Sequence, residues 1–188
     1  MGIRINFEKD FLYYASLGHK RQSVDPKAYL NMIGYRKNIS VIDTERTKES
    51  LLLTIQFLRS LFIKNKASSL FINLNEKSKS TTKLCGLRSL EPFLIKNWTS
   101  GTLTNIILDN KVDVIFVLGS KSSRFVIQEA IKVKLPIVGL VDNDTNSGMI
   151  SFPIWTNDDS TELCYKISLS ISDKIIESKL LNYGFSCL

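Results

Sequence analysis

One histidine, three cysteines and a few clustered carboxylates bound the chemistry open to this 188-residue chain. His19, between Gly18 and Lys20, would have to carry any Ser-His-Asp or Cys-His mechanism. Neither Gly-x-Ser-x-Gly nor His-Glu-x-x-His accompanies it, so a structural or RNA-facing histidine is the preferred reading over a catalytic one. Asp113, Asp142, Asp158 and Asp159 could supply paired carboxylates, although helix caps and turns explain them at least as well. Cys85, Cys164 and Cys187 are scattered and never in Cys-x-x-Cys spacing, which points to reduced thiols and to neither a zinc site nor a disulfide framework.

Gly119-Ser120-Lys121-Ser122-Ser123 stands where an apolar run gives way to a helical pattern. Free backbone N–H groups and a positive dipole end at such a place can hold an anion. The segment matches no nucleotide-binding glycine motif, however, and Ser and Gly are the usual chemistry of a strand-to-helix turn. Asp142-Asn143-Asp144-Thr145-Asn146 offers alternating oxygens as a calcium loop would, but Ser147 and Pro153 occupy the positions of the sharp-turn Gly and the bidentate Glu. A turn rich in Asx residues is the better account. Lys96-Asn97-Trp98-Thr99-Ser100-Gly101-Thr102-Leu103-Thr104-Asn105 joins an aromatic face to hydroxyl and amide donors and a glycine that admits close backbone approach. Phosphate and sugar contacts in RNA complexes use those groups. Equally, Trp98 could close the core while Thr99 or Thr102 caps a helix.

A scaffold for these residues is visible in apolar runs that alternate with helical periodicity, the pattern of a parallel sheet covered on both faces. Val112 to Leu118 predicts a strand, Ser123 to Val133 a helix with Val126, Ala130 and Val133 on one face, and Leu135 to Val141 the next strand. Upstream, Ile39 to Ile42 predicts a strand leading into Asp43 and Thr44 as caps of a helix that carries Leu51, Ile55, Leu58 and Phe62. Leu70 to Leu74 and Pro92 to Ile95 are short strands, with a helix over Lys77 to Leu90 between them. Asp159-Ser160-Thr161-Glu162 has capping-box spacing before the stripe Leu163, Ile167, Ile171 and Ile175, which predicts a C-terminal helix.

The length suits one ordinary domain, and 44% hydrophobic with 23% charged residues is a normal globular balance. Twenty-five Lys and Arg against 18 Asp and Glu leave +7, which favours polyanionic partners or anionic surfaces. No apolar run approaches the ~20 residues of a membrane span. Basic residues gather between Arg59 and Arg88, acids at Asp142, Asp144, Asp158 and Asp159, so one side of the molecule is expected to be basic and another acidic. Met1 to Tyr14 resembles neither a secretory signal nor a transit peptide, because Glu8 and Asp10 fall within it.

Asn97-Trp98-Thr99-Ser100-Gly101-Thr102-Leu103-Thr104-Asn105 resembles the Arg-Trp-Leu-Gly-Gly-x-Leu-Thr-Asn signature of the ribosomal protein S2 family, bacterial and organellar branch. Leu17-Gly18-His19-Lys20-Arg21, Asp25-Pro26-Lys27 and Gly34-Tyr35-Arg36-Lys37-Asn38 resemble its Phe-Gly-His, Asn-Pro-Lys and Gly-x-Arg-Asn run. Val41 to Thr47, Val112 to Val117 with Glu129-Ala130, Pro136 to Asn146, and Asn157-Asp158-Asp159 follow in the family's order. The resemblance implies a Rossmann-like, flavodoxin-like three-layer α/β fold with a parallel sheet flanked by helices. It implies a structural constituent of the small ribosomal subunit, bound to small-subunit rRNA and neighbouring ribosomal proteins. No catalytic residue, cofactor, metal, membrane or small-molecule substrate is expected.

Candidate rRNA-binding residues on this reading are His19, Lys20, Arg21, Lys27, Arg36, Lys37, Lys96, Trp98, Thr99, Ser100, Thr102, Thr104 and Asn105. Residues 1–38 are expected to form a basic N-terminal helix and rRNA-facing segment, 39–181 the Rossmann-like domain with its C-terminal helix, and 182–188 a short tail. The chain departs from the family pattern where Asn97 replaces Arg and Ser100 replaces Gly. Bacterial members insert a long coiled-coil hairpin after Leu-Thr-Asn, whereas here Asn105 reaches Val112 through a short connector, so the hairpin is expected to be absent. With the Lys, Asn, Ile and Phe richness of an AT-rich gene, this points to a mitochondrial ribosome and an organelle-encoded chain. The competing reading is a nucleotide- or sugar-phosphate-binding enzyme of the same architecture, with its site at Gly119 to Ser123.

Overall fold

A computed structural model describes residues 14–75, 78–95, 98–109, 112–119 and 123–184. Three short strands come first: β1 (Leu17–Lys20), β2 (Met32–Arg36) and β3 (Ile39–Ile42). They pair antiparallel in the order β1-β3-β2. Lys37 and Asn38 join β2 to β3 with φ of 48° and 66°, the doubly left-handed geometry that suits a two-residue hairpin in a twisted sheet. Between β1 and β2 lie two tight helical turns, the second opened by Asp25, whose Oδ1 accepts from the Lys27 N–H, and by Pro26 in its first position. Of the helix expected in residues 1–38, the described part shows one turn at 14–16, and residues 1–13 lie outside it.

The alternation of patterns placed Ile39 to Ile42 with the parallel sheet. Instead it forms the centre of the antiparallel one, because a four-residue apolar run fixes neither its neighbours nor their direction.

The remainder is a single α/β unit. Asp43 Oδ1 accepts the Glu45 N–H and opens α1 (Thr44–Asn65), which ends at Lys66 in the left-handed region. Then follow β4 (Ser69–Ile72), α2 (Lys79–Ser89), β5 (Phe93–Leu94), α3 (Thr102–Asp109) and β6 (Val114–Val117). After them come α4 (Arg124–Lys132), β7 (Ile137–Val141), β8 (Phe152–Trp155) and α5 (Thr161–Asn182). The five strands β4 to β8 are all parallel and lie in the order β5-β4-β6-β7-β8.

Period-two alternation divides the side chains of this sheet between two cores. Phe71, Val114, Phe116, Val138, Leu140 and Ile154 meet Leu51, Ile55, Leu58 and Phe62 of α1 and Leu163, Ile167, Ile171 and Ile175 of α5. Phe71 and Phe116 stack with ring centres 4.7 Å apart. On the opposite face Leu70, Ile72, Ile115, Val117, Ile137 and Val141 meet Leu103 of α3 and Val126, Ile127 and Ala130 of α4, together with Ile42 of β3 and Ala28 of the helical turn before β2. The result is the three-layer, flavodoxin-like arrangement, in which the order of strand addition switches sides between β4 and β6 while every strand stays parallel.

Two local features differ from the sequence pattern. The cap of α5 is Ser160, whose Oγ accepts from the Leu163 N–H, while Asp159 turns away to another partner. β8 carries Pro153, a residue that argues against an interior strand but is tolerated here at the sheet edge.

Candidate nucleic-acid interface

A parallel sheet delivers the carboxyl ends of all its strands to one edge, and the N-terminal sheet is fastened there. Just after β7, fully buried Asn143 bonds to β1, to β3 and to the turn before β2. Its Oδ1 accepts the His19 backbone N–H at 3.0 Å, its Nδ2 donates to Ser40 Oγ, and its carbonyl accepts the Asp25 N–H at 2.7 Å. Ser40 Oγ in turn donates to the His19 carbonyl at 2.8 Å. Packing is so close that a Cβ at Gly18 would collide with Ser40 Oγ and lie 2.8 Å from Asn143 Nδ2, which explains a glycine between Leu17 and His19.

The His19 ring faces acids on both sides. Nδ1 is 3.1 Å from Asp142 Oδ2, and Nε2 is 3.3 Å from Asp144 Oδ2 and 3.4 Å from Asp159 Oδ2. Burial pushes the Asp142 carboxyl up to about 6, opposed by the Asn143 N–H and His19. Burial and then the neighbouring carboxylates Asp142, Asp144 and Asp159 push half-buried Asp158 up to about 7. No hydroxyl or thiol nucleophile bonds to the His19 ring among the described residues. Burial also raises Cys85 to about 11 and Cys164 to about 12, which leaves both as inert protonated thiols. Asp113, the remaining candidate carboxylate, accepts the Ser68 N–H at 3.0 Å and serves the fold. The Asp142 to Asn146 segment is indeed an Asx-rich turn, with the Thr145 N–H donating to the Asp142 carbonyl and the Gly148 N–H to Asn146 Oδ1.

The basic candidates converge where the sequence separates them. Register places Lys20 and Arg36 on either side of Ile39, the Arg21 N–H donates to the Asn38 carbonyl at 3.0 Å, and Lys37 occupies the adjoining turn. Lys20, Arg21, Arg36 and Lys37 are all exposed, and among the described residues none forms an ion pair. Arg21 lies over the Tyr35 ring, 5.1 Å from its centre. Lys27 is exposed on the second helical turn, with its ammonium beside Gly148.

A second group is built around α3. Trp98 is half-buried against the core beside α4, and its indole N–H donates to Glu129 Oε2 at 3.1 Å. Glu129 Oε1 accepts the Leu103 N–H at 2.9 Å, the Thr104 N–H at 3.1 Å and the Thr104 hydroxyl at 3.2 Å. Thr99 and Thr102 bond to each other at 2.8 Å. Thr99, Ser100, Thr104 and Asn105 are exposed, while Lys96 lies outside the described residues. The sequence leaves Trp98 open between the core and RNA, and the residue lies half-buried against the core. Ser40, Asn143 and Glu129 were missed as positioning residues; a serine inside the apolar run of β3 was the one local signal, since a buried hydroxyl needs a partner.

Of the competing anion site, Gly119 has φ of 99° and Ser123 opens α4 without a side-chain cap, while Ser120, Lys121 and Ser122 lie outside the described residues. A cleft of about 310 Å³ is lined by Arg124 but also by Asp25 and Asp144, a poor match to a phosphate.

The family model described as Ribosomal protein S2 matches residues 13–110 and 107–178. The chain belongs to the ribosomal protein S2 family. Small ribosomal subunit protein uS2 of Coprothermobacter proteolyticus is 21% identical over 210 residues, covering 86% of this chain and 78% of that protein. The uS2 proteins of Borrelia duttonii and Thermus thermophilus are 23% and 21% identical, each covering 86% of this chain and 82% of the relative. Membership of the S2 family makes this chain a structural component of the small ribosomal subunit rather than an enzyme, and sets the nucleotide-enzyme reading aside.

The acid cluster of this S2-family chain gives it a defined pH response. Asp142 and Asp158 hold protons in the folded state at pH values where the unfolded chain has lost them, so their contribution is full below about pH 4 and falls as pH rises through about 6 to 7. Urea unfolding is expected to show lower stability at pH 8 than at pH 5.5, and Asp158→Asn is expected to narrow that difference. Greater stability of the parent chain at pH 8 would contradict the assignment.

Proposed function

We propose that the exposed end of the N-terminal sheet and the Trp98 to Asn105 segment dock this chain onto folded small-subunit rRNA. The observation that carries the reading is the gathering of Lys20, Arg21, Arg36 and Lys37 at one end of a three-stranded sheet, with no carboxylate paired to any of them among the described residues. Cations so arranged neutralise phosphates and release counterions. Lys27 adds a charge nearby in the chain, and the exposed Thr99, Ser100, Thr104 and Asn105 supply uncharged donors to phosphate and sugar. Thr102 and Trp98 hold that segment in shape through their internal hydrogen bonds, and Lys96 adds one cation two residues before Trp98 in sequence. His19 acts by fixing the strand that presents Lys20 and Arg21.

Replacing Lys20, Arg21, Arg36 and Lys37 together with Ala is expected to leave the fold intact and lower incorporation into the subunit. The slope of log affinity against log salt should become shallower by about 3, given ~0.7–0.9 per phosphate contact. Unchanged incorporation and slope would remove these residues from the interface.

The ribosome we assign is mitochondrial. The support is the composition expected of an AT-rich gene and the short passage from α3 to β6 where bacterial members carry a coiled-coil hairpin. Sedimentation of a mitochondrial lysate, with the chain located by mass spectrometry, should find it with small-subunit rRNA. Its recovery only among light soluble proteins would contradict the assignment.

A further inference from the structure

We propose that Glu129 is the positioning residue of the Trp98 to Asn105 segment, a carboxylate on α4 that caps α3 from outside and presents the exposed face of that segment to RNA. The inference rests on the rRNA-docking reading above. The first N–H groups of a helix have no partner within it, and a side chain just before the helix normally supplies one. Here the hydroxyls of Thr99 and Thr102 bond to each other, and Thr102 Oγ1 donates back to the Thr99 carbonyl at 2.6 Å. The N–H groups of Leu103 and Thr104 turn instead to Glu129, which lies 26 and 25 residues further along the chain.

The chemistry of that acceptor is specific. Four donors, the Trp98 indole, the Leu103 and Thr104 amides and the Thr104 hydroxyl, converge on two oxygens. An ionised carboxylate can accept all of them, whereas a carboxamide of the same shape sets an NH₂ against N–H donors. Negative charge is also favoured at a helix N-terminus. Leu103 is fully buried, so the bond at its amide fixes α3 to the core, while Thr99, Ser100, Thr104 and Asn105 stay in solvent on the other side. Trp98 is held by the second oxygen of the same group. One carboxylate therefore locks both ends of the turn around Gly101, and a surface ordered beforehand loses less freedom on docking.

Amide exchange of the whole chain and ultraviolet cross-linking to small-subunit rRNA, each with Glu129→Gln, test the proposal. The Leu103 and Thr104 amides should exchange about tenfold faster or more, and cross-links through residues 98–105 should fall by a similar factor. Exchange in β6 and cross-links through Lys20 and Arg21 should be unchanged, a split that general destabilisation would not give. Unaltered exchange at Leu103 and Thr104 overturns the clamp. Freed amides with undiminished cross-linking overturn its part in presenting the segment. A parent chain that cross-links only through its N-terminal sheet retires the RNA-facing reading of the segment itself, whatever the variant does.

Discussion

One buried amide joins the two sheets of this molecule. The Asn143 side chain and carbonyl reach β1, β3 and the turn before Lys27, and nothing nearby offers water as a substitute partner because the residue is fully buried. A buried polar group without its partner costs roughly 1–3 kcal/mol, so the small sheet has one favourable seat on the large one. Gly18 permits the approach and the apolar contacts of Ala28 and Ile42 fill the space beneath. Every exposed cation of the N-terminal sheet takes its orientation from that seat.

The parallel sheet explains why the seat lies where it does. Strands β7 and β8 end side by side, so the turns that follow them bring Asp142, Asp144, Asp158 and Asp159 together at one edge. Burial first, and then the neighbouring carboxylates, raise Asp142 and Asp158, and the cluster draws in the single histidine, which comes from the other sheet. Acids thus gather around His19 at the joint, while Lys20, Arg21, Arg36 and Lys37 lie exposed on the sheet beside it. An edge that serves many α/β enzymes as a ligand crevice serves here as an internal fastening, in keeping with a structural role in the S2 family.

Much of the large sheet was legible in the sequence, because β-branched apolar runs mark β6 and β7, and apolar residues three or four apart mark α1 and α5. What escaped was pairing over distance. Strand β3 looks like any other four-residue apolar run until its neighbours are known. β8 hid behind Pro153, and α3 lacked a local cap because its cap comes from Glu129. The motifs around His19, Asp142 and Asp159 were each visible, yet no local rule states that residues 123 positions apart share a hydrogen bond. Asp159 fitted a capping box by spacing and was drawn to His19 instead, leaving the cap to Ser160.

Orientation of the basic sheet for rRNA by the seat at Asn143 is tested most directly by Asn143→Ala, through affinity for small-subunit rRNA at fixed salt. Affinity should fall about tenfold or more, while the amides of β6 and β7 keep their protection from exchange. Undiminished affinity, with the His19 amide freed, would contradict it.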